Sequence, residues 1–249
     1  MKLSAAIITY NEEINVVRCL KSVSFCDEIV IVDSGSSDKT LELARGFTDK
    51  IYCRKWEGYA SQKNYALSLC ANEWVLSVDA DEEVSQELRD EVLSVLQCQP
   101  GVAGFSCPRR TMHLGRWIRH GGWYPNRLVR LFNKNQGRWV GGEVHEYWES
   151  NGEFGALNGH LLHYSFRNLA DQVERNNHYS SLAAVALKRE GHHFSYPKLL
   201  IKSTVKFFET YVVKRGFLDG YPGLIISVSA AYSVFLKWAK LWELEKSEG

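Results

Sequence analysis

Over the first hundred residues, apolar β-rich runs alternate with stretches of helical spacing. LSAAIIT (3–9), EIVIVD (28–33), KIYC (50–53) and EWVLSVDAD (73–81) read as strands. After the first, Ile14, Val17 and Leu20 mark a helix, with Asn11 or a neighbour as its cap and Glu12 and Glu13 in its first turn. Further helices are expected over 38–44 and 61–70, and from Ser85 to about Gln97. This β-α-β-α order predicts an α/β fold with a doubly wound, mostly parallel central sheet and right-handed crossovers.

The rhythm changes after Pro100. GVAGFSC (101–107), NRLVRLF (126–132) and HLLHYSF (160–166) look like strands, and a Gly-, Arg- and Trp-rich connection from Arg109 to Pro125 joins the first two. From Asn168 the pattern is helical to the end. The expected organisation is a catalytic domain over 1–167, made of halves 1–100 and 101–167, and a helical extension over 168–249. A chain of 249 residues, 45% hydrophobic and 24% charged, suits one large globular domain with an appendage. The net charge of +1 creates no field that would recruit nucleic acid. The opening MKLSAAIITYNEE has too short an apolar stretch for a signal peptide and no small-residue cleavage site. Six cysteines, at 19, 26, 53, 70, 98 and 107, form no CxxC pair. They resemble reduced thiols of a cytoplasmic protein more than a disulfide frame or a zinc site.

The chemistry concentrates where strands end. Asp79-Ala80-Asp81 follows the apolar run WVLSV. Carboxylates at i and i+2 of an extended segment share a side, and two like charges held that close call for a cation. Mg²⁺ or Mn²⁺ bridging to a diphosphate suits them, since both are hard ions that take carboxylate and phosphate oxygens. A solvated acidic turn is the plainer alternative. The first strand ends in Thr9-Tyr10-Asn11-Glu12 and the second in Asp33-Ser34-Gly35-Ser36-Ser37-Asp38. Both face the crevice at the carboxyl edge of the sheet, where open α/β sheets bind ligands. Asp33 could accept bonds from a ribose or a base, although DSGS is also ordinary turn chemistry and Asp38 could be only a cap. Lys63, in Gln62-Lys63-Asn64, could reach a phosphate or lie on the surface.

Taken in order, TYNEE, VDSGSSDKT, QKNYAL and DAD resemble the motifs of family 2 inverting glycosyltransferases, over about the first 100 residues. The resemblance implies a GT-A fold and a nucleotide-sugar donor. It places Thr9, Asn11 and Glu12 at the nucleotide, Asp33 at the uridine with Ser34 beside it, Lys63 near the pyrophosphate and Asp81, with Asp79, at the metal.

Inverting transfer needs a general base on the acceptor hydroxyl. Gly141-Gly142-Glu143-Val144-His145-Glu146 offers two carboxylates and an imidazole, with Glu143 and His145 on one face and Glu146 on the other. A solvated acidic edge strand is the alternative. Arg127 and Arg130, on NRLVRLF, could balance phosphate or acceptor charge. WYPNRLVRLF followed by VHE resembles a branch that includes lipopolysaccharide-core β-1,4-glucosyltransferases. There Glu146 is the counterpart of the base, often Asp in other members, which leaves the choice between Glu143 and Glu146 open. His145 would orient the carboxylate or bind acceptor. His113, His120, His160 and His163 show no metal-ligand spacing. Trp117, Trp123 and Tyr124 offer either a sugar-stacking platform or core packing.

Residues 188–216 carry seven Lys or Arg against Glu190 and Glu209, interleaved with aromatics. The uncharged run Leu224–Leu236 has 13 residues, short of the about 20 a bilayer span needs. Basic, aromatic-rich helices of this kind suit the cytoplasmic surface of an inner membrane, with Trp238 and Trp242 at interfacial depth. A helical cap and a dimer surface are the alternatives. The resulting expectation is a peripheral, Mg²⁺- or Mn²⁺-dependent transfer of glucose from UDP-glucose to a lipid-linked acceptor in the lipopolysaccharide inner core. The competing expectations are a polyprenyl-phosphate glycosyltransferase and a non-catalytic nucleotide-sugar-binding module.

Overall fold

Strand β1 (Leu3–Thr9) is buried along its whole length, so LSAAIIT needs no polar alternation. In a computed structural model that describes residues 1–98, 101–141 and 146–247, it is a central strand. β2 (Glu28–Asp33) pairs with it in parallel, and β3 (Ile51–Cys53) pairs with β2. β4 (Trp74–Asp79) flanks β1 on the other side, also in parallel. The register sets Thr9 opposite Asp33 and Ile8 opposite Asp79, so three polar strand ends lie level at the carboxyl edge.

Beyond β4 the sheet turns mixed. β5 (Glu82–Val84), β6 (Gly104–His113), β7 (Arg116–Trp117) and β8 (Asn126–Asn133) follow in the chain. β9 (Gly137–Val140) and β10 (Tyr147–Ser150) form a separate antiparallel pair, and β11 (Phe154–Ala156) and β12 (Leu161–His163) return to the main sheet. The spatial order is β3-β2-β1-β4-β8-β6-β12-β5, with β8 antiparallel to both β4 and β6. This is the α/β architecture with a parallel amino-terminal sheet that the sequence predicts.

Helices α1 (Val16–Ser22), α2 (Thr40–Ala44), α3 (Tyr59–Leu69) and α4 (Gln86–Gln97) accompany the strands. Ser85 caps α4 by accepting from Leu88 N at 3.2 Å, and Leu88, Val92 and Leu96 bury one face. Asn11 caps no helix. It sits at φ +52°, and α1 starts only at Val16, with no acid in its first turn. The reason is local: the N–H groups of Asn11, Glu12 and Glu13 donate to Ser36, Thr40 and Asp38 instead of opening a helix.

The chain divides into two units, one comprising Met1–Arg109 with Asn126–Tyr164 and the other Arg110–Pro125 with Ser165–Gly249. The segment expected inside an acceptor half, 110–125, thus belongs with the helices. Within that second unit, buried Asp219 accepts from the N–H groups of Arg119 and His120 at 3.0 and 2.7 Å. Its helices are α5 (Leu169–Arg189), α6 (Tyr196–Phe208) and α7 (Gly220–Lys246). Leu199, Trp238 and Leu241 form their core. A Cβ on Gly223 would lie 1.9 Å from the Gly216 carbonyl oxygen, so only glycine permits that turn to close onto α7.

Two expectations about this unit change. Trp238 is not interfacial but buried, with Lys198 and Lys202 above its ring at 5.8 and 4.8 Å. The 13-residue count also understates α7. The helical run Gly216–Lys246 has 31 residues and a window of mean hydropathy 1.4, enough by length and composition alone to cross a bilayer.

Candidate active site

The loops that follow β1 and β2 are built from side chains that satisfy backbone. Buried Asp33 accepts from the N–H groups of Gly35 and Ser36, both at 2.8 Å, and from the Ser36 hydroxyl. Both its oxygens therefore hold the DSGS turn, and a nucleoside would have to share them. Asn11 ties the two loops together, donating its N–H to Ser36 Oγ and accepting from Ser37 N at 2.9 Å. Glu12 accepts from Asn15 Nδ2 at 2.8 Å. Ser34 Oγ accepts from Gln62 Nε2 at 2.9 Å, which fastens this turn to α3. Thr9 Oγ1 is buried at the end of β1 and makes no hydrogen bond among the described residues. A buried hydroxyl without a partner is costly unless a ligand completes it.

At the end of β4 the decisive residue is Lys63, 2% exposed on α3. Its Nζ lies 3.0 Å from Asp79 Oδ1 and 2.8 Å from Glu146 Oε1, and 4.7 Å from the Trp139 ring centre. Asn64, the next residue, exchanges two hydrogen bonds with the backbone of Trp139 on β9, at 2.8 and 2.9 Å. The helix is thus locked to the β9–β10 pair, and that lock brings Lys63 to Glu146, the residue just before β10. Arg130, on β8, sets Nη2 2.7 Å from Asp79 and 2.8 Å from Glu82. Glu82, fully buried, also accepts from Asp79 N at 3.0 Å and pairs with Arg109 at 3.4 Å.

The result is a buried array in which each charge has an opposite neighbour. Burial alone would raise the Asp79 carboxyl, but Arg130 and Lys63 outweigh it and hold the group well below the usual carboxylate range. Burial would weaken the Arg130 guanidinium, and Asp79 with Glu82 pushes it above its ordinary value. A depressed carboxylate stabilises the fold above its unfolded pKa of about 3.9, and that stability is lost as pH falls through the folded value. Urea midpoints should therefore change little from neutrality down to about pH 5, then decline. In Asp79→Asn the acid decline should be shallower. Equal slopes for the two proteins would remove Asp79 from the account.

Asp79 and Asp81 do not share one partner set. The strand ends at Asp79, and Asp81 lies in the turn that follows, where its Oδ2 is 3.2 Å from His163 Nε2 on β12. Burial opposes ionisation of Asp81, yet the His163 imidazole holds its carboxyl below the ordinary value. For Mg²⁺ or Mn²⁺, the Asp81 carboxylate fits as a hard oxygen donor, whereas His163 already meets Asp81 through Nε2 and could join such a site only as a neutral imidazole released from that contact. Asp79 fits poorly, because two cations already neutralise it. No group of three or more His, Cys, Asp or Glu able to cage an ion occurs among the described residues. Ligands from a diphosphate and water would have to complete the shell, as is usual for Mg²⁺.

Arg127 lies away from this array. Its Nη2 donates to the carbonyls of Ser106 and Leu157, while Arg130 is buried at the irregularity of β8, where the register with β6 passes from Leu131 to Val129 and leaves Arg130 unpaired in the ladder. Glu143 and His145 lie outside the described residues. Sequence reasoning missed three contributors: Glu82, Asn64 and His163. The first follows the DAD triplet and the second follows Lys63, so both were visible as neighbours. His163 lies 82 residues from Asp81 in sequence, and nothing local marks it.

Known glycosyltransferases resemble this chain over most of its length. An uncharacterised glycosyltransferase of Rickettsia typhi is 33% identical over 98% of this chain and 87% of its own length. The lipopolysaccharide core biosynthesis glycosyltransferase LpsC of Rhizobium meliloti is 32% identical over 98% and 93%. Among solved structures, S. aureus TarS in complex with UDP-GlcNAc aligns with 100% of this chain and 92% of that one, at 15% identity and a TM-score of 0.49. The family model for glycosyl transferase family 2 matches residues 4–152, which take in every strand-end motif described above. The chain belongs to glycosyltransferase family 2.

Proposed function

We propose that this glycosyltransferase moves glucose from UDP-glucose to a hydroxyl of a lipopolysaccharide inner-core sugar, with inversion at the anomeric carbon. The observation that carries the reading is Lys63, which joins Asp79 at the donor edge to Glu146 across it. The name of LpsC supports the acceptor class. Six free cysteines support a cytoplasmic location.

The residues divide the work. Thr9, Asn11 and the DSGS turn receive the nucleoside. Lys63 occupies Glu146 Oε1 and fixes that carboxylate, leaving Oε2 to take the acceptor proton. As the proton moves to Oε2, the acceptor oxygen bonds to the anomeric carbon. The bond from that carbon to the donor phosphate breaks, and its electron pair leaves with UDP. An α-linked donor gives a β-linked product. Asp81, with His163 beside it, would hold Mg²⁺ or Mn²⁺, which when bound supplies charge neutralisation at the departing diphosphate.

The test offers UDP-glucose, UDP-galactose and UDP-N-acetylglucosamine with truncated core oligosaccharide or with polyprenyl phosphate. The expected product is β-glucosylated oligosaccharide, identified by NMR. Transfer only to polyprenyl phosphate would replace the acceptor, and UDP binding with no transfer to any acceptor would reduce the chain to a binding module. In the same series, Mn²⁺ should tighten UDP binding to the wild type and leave Asp81→Asn unaffected.

A further inference from the structure

Helix α6 is amphipathic in an unusual sense. Its inward residue, Leu199, packs on Trp238 and Leu241, yet the opposite face is also apolar. Leu200, Ile201, Val205 and Phe208 are each more than half exposed. The stripe continues past the helix end into Val213, 75% exposed, and reaches Tyr221, 84% exposed, in the first turn of α7. Along one flank of α6 runs an open groove of about 380 Å³, lined by Thr204, Phe207, Val228, Tyr232 and Phe235. Along the other flank run Lys198, Lys202 and Lys206, four residues apart, with Lys214 and Arg215 beyond. Glu209 is the one acid between them, and it is already paired with Lys206 and Lys214. Lys237 on α7 adds to the cluster: burial depresses its ammonium, and Lys202 and Lys206 depress it further, as expected of cations gathered close together.

We propose that this face, the outer stripe of α6 with the 209–221 turn, lies on an anionic phospholipid bilayer. An apolar patch of this extent on a water-facing helix needs a cover. A row of cations at its edge complements lipid phosphates, each worth a several-fold gain in partition near a negative surface. A second copy of the chain is the poorer cover, since self-pairing brings the same cationic edge from two molecules together. Nor does α7 cross the bilayer, despite its length. Along one side it is bonded to α5 through Asn176–Ser229 at 2.6 Å, Lys240–Asn177 at 2.7 Å and Lys188–Leu244 at 3.0 Å. Helix α5 carries Asp171, Glu174, Arg175, Asn176 and Asn177, which hydrocarbon would not accept. The arrangement is that of helices lying in the headgroup plane.

Flotation of the full chain with phosphatidylcholine vesicles, with and without phosphatidylglycerol, tests this. Binding is expected only with phosphatidylglycerol, weakening with added salt. Lys198→Gln/Lys202→Gln/Lys206→Gln should lower partition roughly a hundredfold, about fivefold for each charge. Because Lys198 and Lys202 also cover Trp238, a second variant, Ile201→Asp/Val205→Asp/Phe208→Asp, alters positions that are each more than half exposed. It should abolish flotation while retaining UDP binding. Equal binding to both vesicles, or resistance to alkaline carbonate extraction, would overturn the proposal. So would a solution dimer that the aspartate variant dissociates, which would assign the face to a second copy.

Discussion

Glu146→Gln is expected to lower kcat by about a hundredfold to ten-thousandfold, the usual contribution of a positioned general base. UDP affinity should stay within about twofold of wild type, since a base that acts only on the acceptor proton contributes to the transition state and not to donor binding. The amide is close in shape to the carboxylate, and its oxygen can still accept from Lys63, so the 2.8 Å contact need not be lost. What disappears is the capacity of Oε2 to take a proton. Steady-state kinetics beside calorimetry of UDP binding separates the two effects. Activity within tenfold of wild type would move the base elsewhere, Glu143 being the next carboxylate in the chain.

Arg130→Met is expected to cost about 3–5 kcal/mol in urea denaturation, the range for removing one partner of a buried ion pair. Two carboxylates, Asp79 and Glu82, lose their common cation, and Glu82 has no solvent to turn to. Arg130→Lys should recover part of the loss, because both carboxylates meet a single nitrogen, Nη2, while Nε and Nη1 make no hydrogen bond among the described residues. Combining Arg130→Met with Glu82→Gln should cost less than the sum of the single changes. Strict additivity would mean that the contact contributes nothing specific.

The parallel half of this fold was readable because buried strands announce themselves. WVLSVD and LSAAIIT are continuous apolar runs, and both ends at the carboxyl edge were located to within a residue or two. Asn11 misled because it looks like a cap in isolation, and only the neighbouring loop reveals where its N–H goes. The segment 110–125 misled because its anchor, Asp219, lies a hundred residues away. In the site, the residue types at Asp79, Lys63 and Glu146 are legible from chemistry, but their pairings are not. The like charges of Asp79 and Asp81 at i and i+2 predict a shared cation, and the sequence does not show Lys63 and Arg130 arriving at Asp79 from other elements. His163 was passed over for the same reason.

One ammonium and the amide next to it determine how this enzyme can be redesigned. Exchanging the β9–β10 pair with that of a relative also exchanges the partners of Lys63 and Asn64. A chimera that keeps the recipient's α3 would strand a cation and an amide in the interior, so the helix and the strand pair must be transplanted together. Helix α3 and the β9–β10 pair are thus inherited as a single cassette, although the sequence spells them more than seventy residues apart.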